Sequence, residues 1–142
     1  MIRSALVRTL VLVPLLLAGC AASDEPAPRA TEPITTSDPF AAAACIRLQQ
    51  IQANEVNDLH SMDSMSAGSR ATKSTDTLMR EAGRRLLLAA KDAGELSVYH
   101  PERDLEPAKL RVSEAQRLLH VQCTELYGAP PWNFARLSFP PS

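Results

Sequence analysis

The chain lacks the charge bias of a nucleic-acid binder. Its 15 Lys and Arg are met by 16 Asp and Glu, a net charge of −1, whereas phosphate backbones demand concentrated positive charge. It also lacks the sequence patterns of common catalytic sites. There is no paired-histidine helix motif, no phosphate-cradling glycine loop and no nucleophile elbow, and its three histidines, His60, His100 and His120, fall in separate segments. Strand-like alternation is nearly absent, and Leu96-Ser97-Val98-Tyr99 is too short to establish a sheet. Long apolar runs are missing too: the stretch from Leu10 to Leu17 cannot span a bilayer as a helix.

That stretch has another meaning. Two positive charges, Arg3 and Arg8, precede it, and small residues close it at Leu17-Ala18-Gly19-Cys20. A positive start, a short apolar middle and small residues before a cut make a secretory signal. A cysteine directly after the cut resembles the lipobox of bacterial lipoproteins. The resemblance covers residues 1–20. It implies removal of residues 1–19 and attachment of a diacylglyceryl group to the Cys20 thiol. It also implies an extracytoplasmic protein held to a membrane by fatty chains. Ala21 stands where an aspartate often retains such proteins at an inner membrane. A cell with two membranes would therefore hold this one at the outer membrane, and a cell with one at the outer leaflet of its plasma membrane.

Removing 19 of 142 residues leaves 123, and loss of both signal arginines leaves 13 basic against 16 acidic residues, a charge of −3. This suits one small domain on a tether. Residues 20–37 read as the lipidated cysteine and a flexible tether, because Pro26, Pro28 and Pro33 alternate with polar residues that cannot offset ordering entropy. With Cys20 lipidated, Cys45 and Cys123 remain. Export favours a disulfide between them, closing a loop that constrains the unfolded chain by about 4.5 kcal/mol. Two free thiols, or a bridge between chains, are the alternatives.

Residues 38–127 carry helical spacing throughout, which predicts an all-α domain, a small three- or four-helix bundle. Asp38-Pro39 is a good helix start. Cys45, Leu48, Ile51, Gln52, Val56, Leu59 and Met62 form a first stripe that Gly68 can terminate. Leu78, Ala82, Leu86, Ala89 and Ala93 form a second, with Gly94 as its stop, and Ala108, Val112, Ala115, Leu119, Gln122 and Leu126 a third that ends at Gly128. Three helices running up, down and up would place Cys45 and Cys123 some 30 Å apart at 1.5 Å per residue, too far for a bridge. Either the last helix runs parallel to its predecessor, or the middle of the chain splits to give four alternating helices. The polar residues 66–77 and Gly83 favour a split or kinked middle.

Three features could carry function. His60, Met62 and Met65 combine imidazole with thioether sulfur, a donor set suited to Cu(I); as a helix face their geometry is poor, and a helix-end packing role is the competing reading. Arg80, Arg84 and Arg85 could face anionic lipid or an acidic partner, with a solvated helix face as the competing reading. In the tail, residues 128–142, Trp132, Phe134 and Phe139 join Tyr127 among prolines that preclude a helix. These rings either fold back over the bundle or present a strip for a partner. The expected function is non-enzymatic and needs no cofactor: a lipid-anchored module that binds or positions an envelope protein. In broad layout it resembles the helical pilotin lipoproteins, with no matching motif in residues 38–142. The alternative is a carrier of copper or of a small apolar ligand.

Overall fold

Eleven of the residues buried in the domain are alanines on helices, and that choice of small side chain sets how closely the helices meet. A computed structural model describes residues 32–53 and 61–141. Within them the chain forms four helices, α1 (Pro39–Ala53), α2 (Ser61–Ala71), α3 (Thr77–Tyr99) and α4 (Glu106–Tyr127), and no strand. Successive helices alternate in direction, as Arg47 of α1 beside Asp63 of α2 and Ala71 of α2 beside Gly83 of α3 indicate. Four alternating helices return the end of the last to the start of the first. Cys45 and Cys123 then lie with alpha carbons 5.7 Å apart and form the disulfide.

The extra helix arises upstream of where the polar stretch suggested. The stripe from Cys45 to Met62 does not run as one helix to Gly68; α1 ends at Ala53 and α2 begins at Ser61. Of that stripe, Val56 and Leu59, like His60, lie outside the described residues. Gly68 and Gly83 are not breakers but a crossing point. A β-carbon on Gly83 would stand 2.4 Å from Ala71 Cβ, and one on Gly68 would stand 2.7 Å from the Leu87 backbone nitrogen. Only hydrogen fits, so the two backbones come together. Gly94 does not stop α3 either, which continues to Tyr99 and closes with the His100 N–H on the Leu96 carbonyl.

Asp76 sets the rotation of α3. Its carboxylate accepts from the Met79 N–H at 2.7 Å as an N-cap, and the buried face becomes Met79, Ala82, Gly83, Leu86, Ala90 and Ala93. The predicted face was one residue out at its start: Leu78 is 64% exposed. The last stripe holds through Leu119, after which Cys123 takes the buried position and Leu126 turns outward. Gly128, at φ +80°, ends α4 with its N–H on the Thr124 carbonyl. Ser64 is fully buried and accepts a hydrogen bond from Gln116 Nε2 at 2.9 Å, tying α2 to α4.

Gly83→Ala will lower stability although alanine is the better helix former. Relief of about 1 kcal/mol in propensity is outweighed by overpacking against backbone and a β-carbon, for a net loss of about 2 kcal/mol and a fall in Tm of about 10 °C by calorimetry. An unchanged or raised Tm would mean that α2 and α3 do not cross here.

Candidate functional site

One acid ties the start of the bundle to the turn between α2 and α3. Asp38 is 9% exposed and sits at the start of α1. Its Oδ1 accepts from the Ala41 N–H at 2.9 Å, and its Oδ2 accepts from the Ser74 hydroxyl, the Thr75 N–H and the Thr75 hydroxyl at 2.7 to 2.9 Å. Burial raises the Asp38 pKa, but these donors outweigh it and hold the carboxyl below its ordinary range. The acid thereby caps α1 and ties it to the turn between α2 and α3. Behind it, Tyr127 Oη lies 3.2 Å from Thr36 Oγ1. Burial, first among the causes, raises the Tyr127 pKa.

Residues 32–37 belong to this packed unit, and the tether expected to continue through Ser37 is shorter at its domain end. The Ile34 N–H donates to the Asn133 carbonyl at 2.7 Å and the Ala135 N–H to the Ile34 carbonyl at 2.9 Å, a single parallel bridge between the entering strap and the tail. The tail returns over the seam between α1 and α4. Trp132 is 3% exposed, its backbone N–H on Gln49 Oε1 and its indole N–H on the Gly128 carbonyl, with the His120 ring 5.2 Å away. Phe134 is half-buried and stands edge-on to Tyr127. Phe139 meets Phe40 edge-on yet remains 46% exposed. Of the three rings considered as a docking strip, Trp132 is a core residue and Phe139 the most open.

The largest departures from apolar burial lie at the other end of α2. Met62, Val98 and Tyr99 are 74%, 68% and 73% exposed. With Met65 and Gly94 they line an open groove of about 380 Å³ between the start of α2 and the end of α3, edged by the Lys91–Glu95 ion pair. Met62 and Met65 thus share one groove, while the third copper candidate, His60, lies outside the described residues. Sequence inspection treated Val98 and Tyr99 only as a failed strand. Their exposure follows from α3 running five residues past Gly94, which periodicity did not signal.

The conspicuous arginine run is spoken for. Arg84 and Arg85 pair with Glu81 one turn away, and Arg80 donates to the Ser74 and Thr75 carbonyls. No family model matches the chain, and no curated protein or solved structure is found to be similar to it.

Two substitutions test the way the chain ends are held. Trp132→Ala will cost about 3 to 4 kcal/mol, seen as a fall in Tm of more than about 10 °C; a small change would mean that the tail is not packed in solution. Asp38→Asn will cost about 2 kcal/mol at neutral pH. Because the folded pKa is depressed, the contribution of Asp38 is present above its unfolded value near 4 and is lost as pH falls through the lower folded value. Urea unfolding of wild type should weaken over that acid window more steeply than that of Asp38→Asn; parallel curves would exclude the network.

Proposed function

We propose that this protein is a lipid-anchored extracytoplasmic module that binds or positions a partner protein of the bacterial envelope, with the groove of Met62, Met65, Val98 and Tyr99 as its partner-facing surface. The observation that carries the reading is this concentration of exposed apolar side chains at one groove of a domain whose core is rich in alanine. Apolar clusters rimmed by charge are where protein interfaces concentrate their binding energy. Here the Lys91–Glu95 pair supplies such a rim. The disulfide supports an oxidising compartment, and the lipobox-like Leu17-Ala18-Gly19-Cys20 supports anchoring through Cys20.

A photocrosslinker at Tyr99 in the intact envelope tests the docking surface. One reproducible partner is expected, with yield falling about tenfold or more when Val98→Asp places a charge in the groove, a loss of at least about 1.4 kcal/mol of binding. Val98→Asp should leave Tm unchanged, since the site is exposed. A partner captured equally by both forms would remove the groove from the reading. In the same preparation Cys20 should carry diacylglyceryl mass, and the mass of the unmodified polypeptide would remove the anchor.

Carriage of copper or of a small apolar ligand is favoured by one observation, the two thioethers sharing the groove. Native mass spectrometry of protein taken from its own membrane decides it, since a carrier should retain metal or lipid beyond the covalent anchor.

A further inference from the structure

A second cleft, also lined in part by α2, lies where the tail passes the start of α1. It is open, of about 510 Å³, and its polar side is the exposed face of α2 and the turn after it: Ser66, Ser69, Arg70 and Lys73. These residues fall within about 100° of one another at 100° per residue, so two hydroxyls and two cations share a face. Its apolar side is the edge-on pair Phe40 and Phe139, followed by Pro140. Lys73 Nζ stands 5.8 Å from the centre of the Phe40 ring, which leaves its charge open to an anion. No carboxylate lines the cleft among the described residues, and neither Arg70 nor Lys73 has an ion-pair partner there. The neighbouring cations Arg84 and Arg85 both pair with the single carboxylate of Glu81.

The position of the cleft says what can reach it. The strap and tail run side by side in the same direction, from the Ile34–Phe134 bridge to the Phe40–Phe139 contact. The strap leads directly into α1, whose Phe40 lines the cleft. Only 11 residues separate Cys20 from Glu32, and twelve Cα steps span at most about 40 Å. A domain held by that length of chain cannot move far from the surface carrying its anchor. Hydroxyls and cations suit a phosphodiester, and aromatic rings beside proline suit the boundary where headgroups meet acyl chains.

We propose that this cleft docks the domain on the membrane itself, Arg70 and Lys73 pairing with the phosphate of an anionic phospholipid while Phe139 and Pro140 enter the headgroup layer. The inference rests on the lipid-anchor reading. It replaces a domain floating on its tether with one held in a set orientation, the strap and tail toward the lipid and the Met62–Tyr99 groove at the far end of α2.

The test uses the processed, anchored protein in vesicles of phosphatidylcholine alone or mixed with phosphatidylglycerol. The readout is hydrogen exchange at residues 66–73 and 136–139. Each cation near an anionic surface is worth about a fivefold preference, so exchange there should slow by about twentyfold in the anionic vesicles. The slowing should vanish at high salt and in Arg70→Gln/Lys73→Gln, whose Tm should match wild type. Equal exchange in both vesicles, or slowing that survives the double substitution, overturns the proposal. Equal slowing by free glycerol phosphate in neutral vesicles also overturns it, in favour of a soluble phosphate ester. Failure of the anchor is a different signal: the protein would then leave neutral vesicles altogether, and the docking inference would fall with it.

Discussion

The Cys45–Cys123 bond is the constraint on which this small domain depends. Large fully buried aliphatic side chains are few, Leu48, Met79, Leu86 and Leu119, and most of the remaining interior is alanine. Such a core removes little apolar surface per residue, while ordering each residue still costs about 1 to 2 kcal/mol of backbone entropy. A cross-link over 78 residues acts on the unfolded chain instead, and its effect is comparable to the whole net stability of many small domains. It also selects the topology. Of the two arrangements that could bring the sulfur atoms together, the chain adopts the alternation of four helices.

Small residues do a second job at the α2–α3 crossing. Gly68 and Gly83 remove the side chains that would hold the backbones apart, so the helices gain dispersion contacts that their alanines alone would not supply. The Ser64–Gln116 hydrogen bond then ties α2 to α4, which is not its neighbour in sequence. The apolar side chains that would have filled a wider interior are therefore free for the surface. Met62, Leu88, Val98 and Tyr99 lie outward, and the two helices carrying them, α2 and α3, form the proposed partner groove.

Asp38 links this scaffold to the chain ends. A buried carboxylate that accepts four hydrogen bonds costs far less than one left unpaired, and its donors come from both α1 and the turn before α3. The strap leading to it lies against the tail, and the tail covers the α1–α4 seam with Trp132. The strap is thus paired with the same tail that carries Phe139 and Pro140 to the proposed membrane cleft.

The one-dimensional pattern was enough for the all-α class, for the disulfide and for most of the third stripe, because periodicity and cysteine pairing are local or countable properties. Ala108, Val112, Ala115 and Leu119 could be placed on a buried face directly from their spacing. The same reading took Gly68, Gly83 and Gly94 as punctuation, since a glycine in isolation signals only a weak helix. Only the tertiary structure distinguished a stop from a crossing, because the answer lay in how near a second backbone came. It also decided which charges are free. Arg84 and Arg85 were conspicuous in sequence but meet Glu81 one turn away, whereas Arg70 and Lys73 acquire their shared aromatic neighbours from residues 40 and 139, far apart along the chain. Spacing along the chain determined the helices; proximity between distant segments determined the surfaces, because what a side chain faces depends on elements that its own stretch of sequence does not contain.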